Sequence, residues 1–357
     1  MLAKSKRPIL LCTISAILIY SAATGATVLA ASSVAEMRAD FHRLLDRPKV
    51  PLEAVSSTQS AGPFTLERGR FHSEANQTVP FAIVKPAAAT GALPAVIVLH
   101  GTGGNKEDVE DLCRPLTERG MLCIAIDARY HGDRVPGGAD GSEQYEDAVI
   151  RAWHEKDASK QEHPFYYDTV YDLWRTVDYL QSRKDVDSQR IGMIGISMGG
   201  IETWMAAATD ERIKVAVPAI AVQSFRWSLE SGQWQGRAST IGRAHQVAAM
   251  ELGEKTVNSK AVRALWDKII PGIMDEFDCP SMLRGIAPRP LLILSSDNDP
   301  NNPLGGAKLA FAAAEDAYRS AKASDRLKID VARGVGHSVT NEQWDMAFKW
   351  LARWLKQ

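Results

Sequence analysis

Short, unbroken apolar runs recur along the chain at 81–85, 95–100, 121–127, 190–195, 214–219, 290–295 and 327–331. Strands with one wet face alternate polar and apolar residues; these runs do not, so both of their faces are expected to be buried. Helical spacing fills the intervals at 108–119, 169–182, 198–208 and 342–356; in 169–182, Val170, Leu173, Val177 and Leu180 share one face. Doubly buried strands separated by helices specify an α/β architecture, a mostly parallel sheet with helices on both faces. No repeat at a solenoid period competes with this reading.

The 357 residues, 45% hydrophobic and 24% charged, are enough for one large core. Lys and Arg number 42 against 43 Asp and Glu, a net charge of −1. No basic excess follows a nucleic-acid backbone, so no nucleic acid is expected as a partner, and the balance suits a small neutral substrate. Lys4, Lys6 and Arg7 precede an uncharged stretch at 9–31, with Val28 and Ala30 at −3 and −1 of a cleavage point. Residues 1–30 therefore read as a signal peptide, and the chain is expected to be secreted or periplasmic. The competing reading is an N-terminal anchor, since the stretch reaches the about 20 residues a spanning helix needs. Ser21, Thr24, Gly25 and Thr27 argue against it; membrane association is expected only if the segment is uncleaved. Cys12 lies in that segment; Cys113, Cys123 and Cys279 match no zinc or redox spacing and read as buried free thiols, a Cys113–Cys123 bridge being the alternative.

Residues 31–62 read as an N-terminal helix (33–46, with Val34, Met37, Phe41, Leu44 and Leu45 as its apolar face) and a Pro-punctuated arm. The main α/β domain is expected over 63–357, interrupted at 132–168 and 222–286 by stretches without strand signals that suit helical lids.

Gly195-Ile196-Ser197-Met198-Gly199-Gly200 follows one apolar strand and opens a helix, the context in which a G-x-S-x-G turn projects a nucleophilic serine. A serine needs a base. The chain offers an acid and then a histidine downstream, in the order this architecture uses. Asp299 lies in the loop after strand 290–295 and His337 in the Gly-rich loop after strand 327–331. His337 would act as base, with Asp299 orienting its ring. Asp297 is the rival acid; the Asp299-Pro300 turn, where the chain leaves the sheet, favours Asp299. Donors for an oxyanion are expected from the backbone N–H of Met198 and that of Thr102 or Gly103, in the His100-Gly101-Thr102-Gly103-Gly104 loop. The competing reading of those glycines is a plain tight turn.

His100, Tyr130, Trp227 and Trp234 are candidates for the substrate pocket. Against them stand a self-paired Arg/Asp loop at 127–134 and ordinary packing for the tryptophans. His131 precedes Ser197 and has no acid of its own. His72, His154, His163 and His245 show no metal-ligand spacing, and neither HExxH nor a phosphate-binding glycine pattern occurs; no metal and no cofactor are expected.

The segments HGTGGNKE (100–107), DARYHGDR (127–134), GISMGG (195–200), IAPRPLLIL (286–294), DPNNPLGG (299–306) and GVGH (334–337) together resemble the α/β-hydrolase superfamily, in its dienelactone-hydrolase and acetyl-xylan-esterase-like branch. The resemblance covers about residues 63–357 and implies an eight-stranded, mostly parallel sheet with a Ser197, Asp299, His337 triad. Dienelactone hydrolases proper use cysteine where this chain has Ser197, so their lactone substrate does not carry over. The expected function is serine-dependent hydrolysis of small-molecule carboxylic esters through an acyl-enzyme, short-chain or acetyl esters included, with no obligatory protein partner. Two alternatives are a peptidase of the prolyl-oligopeptidase type, for whose partner domain the short N-terminal arm leaves no room, and a silent binding protein, which commonly lacks a triad member.

Overall fold

The computed structural model describes residues 33–137 and 141–356; the expected signal peptide at 1–30 lies outside the described residues. The apolar runs, with two polar strands before them, assemble into one sheet of β1 (Val55–Ala61), β2 (Phe64–Glu74), β3 (Gln77–Pro86), β4 (Leu93–Leu99), β5 (Leu122–Ile126), β6 (Val186–Ile196), β7 (Ile213–Ala219), β8 (Leu291–Ser296) and β9 (Leu327–Ala332). Their spatial order is β1-β2-β3-β5-β4-β6-β7-β8-β9. β5, β4, β6, β7, β8 and β9 run parallel, while β1, β2 and β3 are joined to each other and to β5 by antiparallel pairing. The seven apolar runs are β3 to β9; β2 completes the eight strands that the resemblance implies, and β1 adds a ninth, exposed along its whole length.

Both faces of the parallel strands are covered, as their unbroken apolar character requires. In β4, Ala95, Ile97 and Leu99 join one core while Val96 and Val98 join the other. β8 divides likewise, Leu291 and Ile293 against Leu292 and Leu294. Each Val, Leu or Ile among them, fully withdrawn from water, contributes about 1.5–3 kcal/mol of transfer free energy.

The helices are α1 (Val34–Leu44), α2 (Glu110–Glu118), α3 (Ser142–His154), α4 (Tyr167–Ser182), α5 (Met198–Thr209), α6 (Phe225–Glu230), α7 (Gln235–Ser239), α8 (Gly242–Glu251), α9 (Ser259–Ile269), α10 (Cys279–Arg284), α11 (Leu304–Ser320) and α12 (Asn341–Leu355). α2 and α12 cover one face, α4, α5 and α11 the other. α1 opens on a capping box between Ser33 and Glu36 and buries Met37 and Phe41. Phe41 meets Tyr167 and Phe277 edge-on, with ring centroids 4.9 and 5.0 Å away.

The stretches 132–168 and 222–286 contain α3 and α6 to α10, and they pack on each other. Trp153 Nε1 and His154 Nε2, at the end of α3, both bond the Glu251 carboxylate of α8, at 2.8 and 2.7 Å. Cys113, Cys123 and Cys279 are free and buried.

Candidate active site

β6 delivers Ser197 into a backbone conformation of φ 52°, ψ −111°, and α5 begins at the next residue. A non-glycine residue at positive φ is strained, and strain of this kind points the side chain out of the turn. The flanking glycines have steric reasons. A Cβ on Gly195 would sit 2.2 Å from the Gly199 carbonyl oxygen; one on Gly199 would sit 2.5 Å from Leu99 Cβ; one on Gly200 would sit 2.5 Å from Ala221 Cβ. The turn is tied to its neighbours by Ser197 N–H donating to Ala219 O at 2.9 Å and Gly199 N–H to His100 O at 3.1 Å.

That second bond sets the 100–104 loop beside the serine. A Cβ on Gly101 would stand 3.6 Å from Ser197 Cβ, and Gly104 N–H closes the turn onto Gly101 O at 3.1 Å, with Gly103 at φ 79°. Thr102 and Gly103 are in this turn, and Met198 is in the first turn of α5, whose N–H groups have no partner within the helix.

Two further loops converge from the ends of β8 and β9 and are stitched together. Asn298 N–H donates to Val335 O at 3.1 Å, Ser296 Oγ to Gly336 O at 2.6 Å, and Gly334 N–H to Asp297 Oδ1 at 2.8 Å. Asp297 is thereby used to shape the histidine loop. Asp299 makes the contact with the ring: His337 Nδ1 lies 2.9 Å from both of its carboxylate oxygens, and His337 Nε2 lies 2.8 Å from Ser197 Oγ. Asp299 also accepts from Asn301 N–H at 2.8 Å, Asn302 N–H at 3.0 Å and Asn302 Nδ2 at 3.1 Å. Burial would raise the Asp299 carboxyl, but the hydrogen bond and charge of His337, with the Asn302 and Asn301 donors, hold it below the ordinary carboxylate value. With Asp299 ionised, the proton shared with His337 belongs on Nδ1, leaving Nε2 to accept from Ser197.

The pocket candidates fare differently. His100 is corrected from pocket wall to brace: it is 2% exposed, its Nε2 accepts from Ala128 N–H at 3.1 Å, and its Nδ1 donates to Gly101 O at 2.8 Å. Tyr130 donates to Glu162 at 3.1 Å, and the Arg151 guanidinium lies over its ring. Trp227 lies so close against the start of α11 that a Cβ on Gly305 would be 2.3 Å from its ring, and Trp234 is half-buried against the core. The 127–134 segment is ion-paired: Asp127 accepts from Lys106 Nζ at 2.9 Å, and Arg129 and Arg134 reach Asp172 at 2.8 and 2.6 Å. Three residues were given no role from sequence: Arg237 and Tyr166, which lie in no motif, and Asn302, which lies within the DPNNPLGG segment. Only Asn302 had a signal, an Asn-Asn pair after Asp299-Pro300 in a turn.

The His100 and His131 rings lie tilted against each other with centroids 5.3 Å apart, and burial lowers both imidazoles from 6.5 to about 4. As pH falls the unfolded chain protonates first, so the stabilisation is complete above pH 6.5 and is lost between there and about pH 4. For one ring this amounts to roughly 3 kcal/mol. Urea midpoints across that window should fall steeply, and His131→Phe should flatten the slope.

A doubly wound sheet with a serine at a strained strand-to-helix turn, facing a histidine and an acid on the last two strand ends, defines an α/β-hydrolase. The family model for acetyl xylan esterase (AXE1) matches residues 56–226. Over 338 residues the chain is 27% identical to the Bacillus subtilis (strain 168) protein named "Putative hydrolase YtaP", covering 90% of this chain and 99% of that one. It is 30% identical over 173 residues to "Putative esterase YitV" of the same organism, 45% of this chain and 60% of that one. The crystal structure of acetyl xylan esterase 1 from Thermoanaerobacterium sp. JW/SL YS485 superposes with a TM-score of 0.64 at 16% identity, over 90% of this chain and 94% of that one. The chain has the α/β-hydrolase fold, is similar to acetyl xylan esterases and to proteins named hydrolase and esterase, and is a carboxylic ester hydrolase.

Proposed function

We propose that this chain is an exported serine esterase that removes short acyl groups, acetyl among them, from small-molecule or sugar esters. The observation that carries the reading is the unbroken line from Ser197 Oγ through His337 to Asp299, with contacts of 2.8 and 2.9 Å. Ser197 Oγ attacks the ester carbonyl as its proton passes to His337 Nε2, and Asp299 stabilises the imidazolium that forms. The backbone N–H of Met198 and that of Thr102 or Gly103 receive the developing oxyanion. Collapse expels the alcohol, which takes the proton from His337, and Ser197 keeps the acyl group. Water then gives a proton to His337 and attacks the acyl carbon; the acid leaves and Ser197 recovers its proton. No metal, cofactor or second protein enters these steps. Export is supported by the 1–30 segment; among the described residues no helix is long and apolar enough to cross a membrane.

Purified chain should bind a fluorophosphonate probe at Ser197 and turn over p-nitrophenyl acetate faster than the octanoate. Acetylated sugars, run against aminoacyl amides, identify the leaving group. Absence of both labelling and ester turnover would sink the proposal, and faster amide cleavage would replace it with a peptidase.

A further inference from the structure

Behind Asp299 lies a line of buried polar groups that the hydrolytic steps do not use. Asn302, 3% exposed, spends both hydrogens of its Nδ2, one on Asp299 Oδ2 and one on the Ile220 carbonyl. Its Oδ1 accepts from Arg237 Nη2. The other terminal nitrogen of Arg237 donates to the Tyr166 hydroxyl at 3.3 Å. Arg237 is fully buried, forms no salt bridge among the described residues, and has no partner for Nε. A buried guanidinium with only neutral partners is costly in folding terms, so its presence calls for a gain elsewhere.

Backbone strain collects on the same groups. Tyr166 has φ 78° and ψ −53°, at the centre of a tight turn closed by Tyr167 N–H on Phe165 O at 3.2 Å. Ile220, a β-branched residue, has φ 45°, and Ser197 itself has φ 52°. Such positions persist where the surroundings over-determine them, and they gather at working sites. α7, which carries Arg237, is also pressed onto the acid's loop: a Cβ on Gly236 would be 2.1 Å from Pro300 O.

We propose that Arg237 is a positioning residue for the Ser197, His337, Asp299 site, an inference that rests on the esterase reading above. It fixes the Asn302 amide so that Nδ2 faces Asp299, which holds the carboxylate plane and hence the His337 ring. Tyr166 comes from the first insertion, Arg237 from the second and Asn302 from the loop after β8. The geometry of the acid therefore depends on both insertions being seated. Without the guanidinium, Asn302 Oδ1 loses its cationic donor inside a dry site, and the loop from Pro300 to Pro303 loses its anchor.

The test compares Arg237→Met, Arg237→Lys, Tyr166→Phe and Asn302→Ala on p-nitrophenyl acetate, with active sites counted by fluorophosphonate titration. Arg237→Met should lower kcat per active site by about 10- to 100-fold, with KM within about twofold of the parent. The rate of fluorophosphonate labelling should fall in parallel, and the Arg237→Met/Asn302→Ala double variant should be no slower than the slower single one. Unchanged kcat per active site in Arg237→Met, or multiplying effects in the double variant, overturns the inference. If Arg237→Met does not fold, Arg237→Lys and Tyr166→Phe decide: reduced kcat at parental KM supports it, parental kcat in both overturns it. A parent protein that neither labels nor turns over ester fails the esterase reading and takes this inference with it; an active parent with normal Arg237 variants fails only the inference.

Discussion

Ser197→Ala is expected to lower kcat for an acetyl ester by about 10⁵- to 10⁶-fold. Ser197 Oγ bonds to His337 Nε2 alone among the described contacts, so the substitution removes the nucleophile without orphaning any buried group except the half-exposed imidazole. Alanine keeps the same Cβ at φ 52°, so the turn carries the strain it already had. Stability should move by no more than about 1 kcal/mol, the usual worth of the one hydrogen bond removed. Full-time-course kinetics with parent-free enzyme and a melting curve on the same sample check both halves. Retention of a tenth of the parental rate would remove Ser197 from the nucleophile's role.

Asp299→Asn is expected to cost about 10⁴-fold in kcat while leaving the fold intact. The asparagine Oδ1 can still accept from Asn301 and Asn302 N–H, which holds the turn after β8, although Asn302 Nδ2 loses its acceptor at Oδ2. Its new N–H₂ must then face His337 Nδ1. That reverses the tautomer: the ring proton moves to Nε2, which presents a donor to Ser197 Oγ and can no longer take its proton. Asp297→Asn is the informative contrast. Asp297 receives Gly334 N–H and does not touch His337, so this variant should stay within about threefold of the parent, as expected for a residue outside the reacting line. Equal losses in the two variants would mean that the shape of the loop, rather than the charge on residue 299, matters.

Much of the architecture was legible because burial on both faces leaves a mark on each residue. The runs that became β3 to β9 are apolar at successive positions, as β4 shows in feeding alternate side chains to opposite cores. β1 left no such mark: Val55-Ser-Ser-Thr-Gln-Ser-Ala has no face to bury and is held by backbone pairing to β2. Ser197 and His337 were visible because strained turns and catalytic loops demand glycines beside them. His100 was misjudged as a pocket wall since nothing local distinguishes a histidine that lines a cavity from one whose two ring nitrogens are both spent on the backbone.

The sequence by itself determined the α/β class, the order of the motifs along the chain, the strand-to-helix turn that carries Ser197 and the Gly-rich loop that carries His337. Each of these depends on local rules: periodicity, steric demand at positive φ, and residue types that a proton relay requires. Only the tertiary structure decided that Asp299 rather than Asp297 meets the ring. It alone brought Tyr166, Arg237 and Asn302 into one line, across sequence separations of 71 and 65 residues. Such contacts have no local signature, because a buried guanidinium is recognisable only by what surrounds it once the two insertions have closed on the end of the sheet.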